Sequence, residues 1–274
     1  MVLRPLEQPA QHQQPSPAAE PVPAWTAVAA RQSRHAQAWW LITQPDHAAL
    51  SGDLAANFVS PLFPRLDPLV IRSIGVHDWG WSIFPAEGSP GRQPLLDTAG
   101  KPLSFIEFSP WDFLRAWQGS IERAESIAPI GGIMVSRHFC GLAQFRLDTA
   151  KDPESDRRAI SHFVACEHER QQRLTPQCNF ARAEIDTLVR VLQFCDLLSL
   201  YLCCGADEYV EFPQLVSPHP VRVSRNGAED FYRFDPSPFQ ADPDKPRPVS
   251  LGVKARLYPA AGESRTTTLP FLLW

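Results

Sequence analysis

The residues of this chain best placed to do chemistry are three histidines and two aspartates, spread from position 47 to position 196. His47 shares a helical face with Leu50, Leu54 and Phe58. His77, followed directly by Asp78, shares one with Val70, Ile74 and Trp81. His138 lies between Met134 and Leu142, four residues from each. Asp196 has Val189, Leu192, Leu200 and Cys203 on its own face and is the only charged residue between Arg190 and Asp207. A carboxylate inside an apolar helix is costly to bury unless it is paired or bound to a metal. Imidazoles on the inward faces of other helices would supply partners, and helix bundles build metal sites from such inward side chains. Imidazole nitrogen with carboxylate oxygen suits one or two divalent transition metal ions (iron, manganese, zinc or nickel) more than calcium.

Each residue taken alone has a plainer reading. A single histidine on an apolar face is usually a hydrogen-bonded core residue. The His77–Asp78 pair could cap a helix C-terminus before Gly80, and Asp196 could pair with Arg137. Four such coincidences on four helices favour a metal centre.

The elements that must carry these residues are mostly helical. Thr43, with Asp46 three residues on, opens a helix over about 44–58. Asp67 and Pro68 open another over about 68–79. Ser109-Pro110 starts a third, with Phe113, Trp117 and Ile121 on one face; a fourth runs through 133–142. Asp152-Pro153 opens a long polar helix to about Leu174, and the last spans 182–204 and stops at Gly205. Ala38 to Ile42 is a short apolar run that could be a strand or a helix entry. After Asp207, residues 221–234 read as two strands around an Asn226-Gly227 hairpin turn. Val249, Leu251, Val253, Ala255 and Leu257 alternate as a half-buried strand does. The fold expected is therefore mainly α. A disordered proline-rich arm (1–36) precedes a helical body (37–206), and a small antiparallel β appendage (207–274) packs on that body.

Composition narrows the function. The 274 residues carry 26 Lys+Arg against 30 Asp+Glu, a net charge of −4, which argues against binding duplex nucleic acid. At 44% hydrophobic residues the chain can bury a sizeable core, while 28 prolines exceed the roughly 5% usual share. The first residues contain no apolar run that would make a signal peptide or a membrane span. Six cysteines without a CxxC pair suggest neither a disulfide scaffold nor structural zinc, so a reducing cytoplasm is expected. Neither a GxxxxGK[ST] loop nor a GxSxG elbow is found.

The order of residues, a His, an adjacent His-Asp pair and a distant Asp on a later helix, resembles the HD superfamily of helical metal-dependent phosphohydrolases. The positions are His47, His77, Asp78 and Asp196. The stretches ITQPDHAALSG (42–52), HDWGW (77–81), MVSRHFCGL (134–142), EHERQQ (167–172) and LQFCDLLSLYLC (192–203) resemble, more closely, an uncharacterised bacterial family known as a domain of unknown function. The superfamily resemblance implies an HD-like helical bundle and a metal-dependent hydrolase acting on a small phosphorylated substrate or nucleotide. His47, His77, Asp78 and Asp196 would hold the metal, and Asp78 or Asp196 would position the attacking water. Arg137 or Arg72 would neutralise phosphate charge; Trp79 and Trp81 would flank a base or sugar.

Superfamily members with two metals add histidines between the His-Asp pair and the last Asp, so His138 allows a second ion. For a sixth ligand, His162 points away from the apolar face of its helix, whereas Glu167 and Gln171 fall on it. Glu167 is therefore preferred over His162, although on a helix this charged it could equally be a salt-bridging residue. Other HD-fold proteins activate oxygen at a di-iron centre built from four histidines and two aspartates, an alternative to hydrolysis. A third alternative is a non-catalytic, metal-containing interaction protein whose arm, with Pro15, Pro17, Pro21 and Pro23, adopts an extended recognition conformation.

Overall fold

Local capping starts the helices where the sequence predicts. Thr43 Oγ1 accepts from the Asp46 N–H at 3.0 Å, Asp67 accepts from Leu69 at 2.7 Å, and Ser109 Oγ accepts from Asp112 at 3.3 Å. A computed structural model describes residues 1–6, 20–84, 93–226, 231–242, 245, 247–259 and 265–274. Among these, seven α-helices are found: α1 (Ala24–Gln32), α2 (Gln44–Ala56), α3 (Pro68–Ile74), α4 (Pro110–Glu125), α5 (Pro129–Thr149), α6 (Glu154–Leu174) and α7 (Arg182–Cys203). The expected helix over 68–79 ends early. Beyond Ile74 the backbone tightens to i→i+3 bonds, His77 N to Ile74 O and Trp79 N to Val76 O, and passes into a 3₁₀ helix at Trp79–Ile83.

The strands are β1 (Val2–Pro5), β2 (Val22–Pro23), β3 (Trp39–Ile42), β4 (Val210–Glu211), β5 (Arg222–Asn226), β6 (Phe231–Asp235), β7 (Val249–Tyr258) and β8 (Thr266–Leu273). All eight join one mixed sheet in the order β1-β3-β7-β8-β6-β5-β4-β2, which curls as a half-barrel. This overturns the expectation of a mainly α bundle with a small β appendage: the fold is α/β. Trp39 pairs with Tyr258, so strands from opposite ends of the chain lie side by side, one strand in from the β1 edge of the sheet. Residue periodicity reports only local structure, and a four-residue strand such as β1 carries too little of it to show a partner so far away.

The proline-rich leader is likewise part of the fold where it is described. Val2 and Leu3 are fully buried, and the Gln32 carboxamide closes both backbone groups of Leu3, at 2.9 and 2.8 Å. Pro21 and Pro23 flank Val22, and the Val22–Pro23 strand runs parallel to β4. Pro15 and Pro17 lie outside the described residues. Asn226 pairs with Phe231 within the β5–β6 ladder instead of turning the chain, and Gly227 lies outside the described residues.

The helices pack into one core with the inner face of the sheet. For the site, the important neighbours are those of α2, which lies against α7, α3 and β7, while α5 lies against α7. The contact of α2 with the turn after α3 is close: a Cβ on Gly52 would stand 2.8 Å from Gly75 Cα. Only glycine admits that approach, and it brings the start of the His77–Asp78 turn against the helix that carries His47.

Candidate metal centre

Four elements deliver the site. His47 projects from the first half of α2, His77 and Asp78 from the tight turn after α3, His138 from the middle of α5, and Asp196 from the middle of α7. The fold brings His47, His77, Asp78 and Asp196 together, with one potential ligand atom of each within 4.8 Å of all the others. Both histidine side chains are buried, and the Asp78 and Asp196 side chains are 10% and 14% exposed.

Hydrogen bonds fix which ring nitrogen faces the cluster. His77 Nδ1 donates to the Ile74 carbonyl at 2.9 Å, and its Nε2 lies 3.2 Å from Asp196 Oδ1 and 3.8 Å from Asp78 Oδ2. Ser199 Oγ donates to the Asp196 carbonyl at 2.8 Å, which directs it to accept from His47 Nδ1, also at 2.8 Å. His47 Nε2 then faces Asp78 Oδ2 at 2.8 Å and Asp196 Oδ1 at 4.0 Å. Two imidazoles anchored through Nδ1 with Nε2 turned towards two carboxylates have the outer hydrogen bonding that metal-ligating histidines use. Asp78 Oδ1 is buried and has no hydrogen-bond partner in the protein. An orphaned carboxylate oxygen is expensive in a core, and a cation beside it would remove that penalty. The donor set thus fits a divalent transition metal.

The electrostatics follow from crowding two carboxylates with three imidazoles. Burial pulls the His77 pKa down, but the Asp78 charge and the hydrogen bond to Asp196 outweigh it and raise it from 6.5 to about 9. For Asp196, burial pushes up, and the hydrogen bond and charge of His77 pull down further, leaving it at about 2. His138 goes the other way: burial dominates the attraction of Asp196 and lowers it to about 4. Without an ion, a protonated His77 therefore faces an ionised Asp196, beside a neutral His138.

His138 stands next to the cluster and outside it, its Nε2 3.5 Å from Asp196 Oδ2 and its Nδ1 buried without a partner. The other candidates lie elsewhere. Arg137 ion-pairs with Asp186 on α7 at 2.6 Å, and Arg72 is exposed on α3. Glu167 is buried, but it pairs with Arg170 at 3.1 Å. His162 touches the exposed Cys166 thiol one turn away on α6. Gln171 binds Ser136 at 2.8 Å. Trp79 is 45% exposed, whereas Trp81 is buried.

Asp78, Trp81, His138 and Asp196 line a cavity of about 670 Å³. Sequence reasoning missed two contributors. Ser199 orients His47, and its one signal was a hydroxyl interrupting an apolar run three residues after Asp196. Ser51, one turn after His47, donates to Ser199 Oγ at 2.9 Å and shares the His47 face.

An α/β fold holding a buried His/Asp cluster whose two aspartates line a cavity is the class of protein that structure defines. By sequence, the chain belongs to a family described as protein of unknown function (DUF3891), whose model matches residues 32–248. No curated protein and no solved structure matches it. Among the described residues no helix is long and apolar enough to cross a membrane.

Proposed function

We propose that this chain is a metal-dependent hydrolase in which His47, His77, Asp78 and Asp196 hold one divalent transition metal ion, with the ligand order of the HD superfamily. The observation that carries the reading is the convergence of two anchored imidazoles and two carboxylates, from three separate elements, within 4.8 Å, with both carboxylate residues lining a cavity. A metal ion there supplies Lewis-acid polarisation of the scissile group and activation of water.

The protein's own groups have distinct tasks. Asp196 stays ionised across the physiological range and faces both His77 and His138. Asp78 turns Oδ2 towards His47 Nε2 and leaves Oδ1 without a protein partner, the oxygen that a metal ion would satisfy. His138, neutral at pH 7, holds its ring proton on Nε2 towards Asp196 Oδ2 and leaves Nδ1 as a buried acceptor.

The phosphoryl part of the expected activity has less support. Arg137 is engaged by Asp186 and does not line the cavity, and nor does Arg72. The oxygen-activating alternative calls for four histidines, and the described residues bring three imidazoles near the two aspartates.

Metal analysis of the purified chain beside His77→Ala and Asp196→Ala tests the proposal. The expected result is near-stoichiometric metal in the parent chain and loss of most of it in both variants. Equal metal in all three would overturn the site. Iron as the bound metal, with oxygen consumption on turnover, would move the assignment from hydrolysis to oxygen chemistry.

A further inference from the structure

We infer that the molecule this site acts on is uncharged and has an aromatic body, and that it is not phosphorylated; the inference rests on the metal-site reading above and names its substrate class. The walls of the cavity come first. Trp25, Trp81, Phe113, Trp117, Phe139 and Leu197 line it, and the aromatic part is locked by its own packing. Trp117 stacks on Phe139 with ring centroids 4.9 Å apart and planes 13° apart, and lies 4.4 Å from Phe113. The mouth is apolar too, because the lining residues Leu142 and Phe145 are 42% and 61% exposed. A cavity of this size and lining suits a body of two or three rings.

Charge decides against phosphate. Arg146 is the one lysine or arginine among the described lining residues. It is occupied by a two-pronged ion pair with Asp152, both contacts at 2.7 Å, and its guanidinium lies over the Phe113 ring. Asp78 and Asp196 together cancel the charge of a divalent ion. A phosphate dianion would then enter a neutral, apolar chamber with no cation to compensate it.

Uncharged polar groups take the place of cations. Gln44, Gln193 and Gln214 line the same space, and the Gln214 Oε1 is buried without a hydrogen-bond partner. That oxygen and His138 Nδ1 are polar atoms without a partner in the protein, both on residues that line the cavity.

The test uses the full chain loaded with zinc and three probes in calorimetric titrations. Benzohydroxamic acid and acetohydroxamic acid are neutral in solution at pH 7 and share a head that loses one proton on binding zinc, and only the first has a ring; phenyl phosphate has the ring and a dianionic head. Benzohydroxamic acid should bind about tenfold or more tightly than acetohydroxamic acid, and more tightly than phenyl phosphate. Equal affinity of the two hydroxamic acids, or preference for phenyl phosphate, would overturn the inference.

A second arm does not depend on the ion. The neutral naphthalene fluorophore prodan should bind the metal-free chain with blue-shifted emission. Gly141→Trp should abolish that binding. Gly141 is an exposed lining residue, and a Cβ there would meet nothing nearer than Gln193 Nε2 at 3.8 Å, so the indole plugs the mouth without disturbing α5. Prodan bound equally by parent and plugged chains would also overturn the inference. Failure of the metal reading looks different: no zinc is taken up, yet prodan binds the parent chain and is lost from Gly141→Trp, which supports the apolar chamber by itself.

Discussion

Lowering the pH from 9 to 7 should weaken zinc binding by about 50-fold, because zinc must displace the proton that His77 holds. In the ion-free chain this imidazole titrates at about 9, since Asp78 and Asp196 overcome the penalty of burying its charge. Two units below that value only about 1% of it is deprotonated, against about half at pH 9, which corresponds to about 2 kcal/mol of binding free energy. The Nδ1 proton is committed to the Ile74 carbonyl, so the proton displaced is the one on Nε2, 3.2 Å from Asp196 Oδ1. The assay is competition against a chromophoric chelator across this range, with proton release followed in weak buffer at pH 7. Log Kd should fall by about one per pH unit and level off above 9, with about one proton released from His77 at neutral pH. A flat affinity between pH 7 and 8.5 would refute the placement of that proton. The same interaction stabilises the ion-free fold. With the folded pKa raised from 6.5 to about 9, the His77 contribution is complete below pH 6.5 and is lost as the pH rises through 9. Seen from Asp196, lowered from 3.8 to about 2, it is present above about pH 4 and lost as the pH falls through 2. These are two edges of one pair, and ion-free melting temperature should decline towards both.

Three further outcomes can be measured. Ser199→Ala removes the acceptor for His47 Nδ1 and should weaken zinc binding by about tenfold or more while leaving the fold intact by circular dichroism. Gly80→Ala would press a Cβ into the Ala116 carbonyl and within 2.6 Å of Ser120 N. Thermal or urea unfolding should show a loss of about 3 kcal/mol, and a neutral result would mean that the 3₁₀ segment and α4 are not so closely apposed. Deleting residues 1–36 removes β1 and α1, whose Val2, Leu3 and Val28 are buried, so the shortened chain should be insoluble or lack a cooperative unfolding transition. A shortened chain as stable as the parent would show that the leader is dispensable.

What could be read from the sequence was what short-range forces decide. Thr43, Asp67 and Ser109 announce helix starts because their side chains cap N–H groups two or three residues away. The 3.6-residue period put His47 and Asp196 on apolar faces, where a polar side chain demands a partner. Periodicity was less useful over 75–83, where the i→i+3 turn replaces the expected helix and still leaves His77 and Trp81 facing inward. It also ranked Arg137 by its position next to His138. Successive helical residues point about 100° apart, and that rotation sends Arg137 to Asp186 instead.

Glu167 shows where burial stops being informative. It is inward on α6, but α6 packs against α5 and α4, so inward there means towards Arg170 and away from the His/Asp cluster. The sheet was hidden for the same reason: β1 and β3 are four residues each, and β3 takes its second neighbour from β7 near the other end of the chain. The sequence by itself therefore determined which residues needed partners, since that follows from the cost of burying a polar group on an apolar face. Only the tertiary structure decided who the partners are. Pairing between distant segments depends on how whole elements cross in space, and no spacing along the chain encodes that crossing.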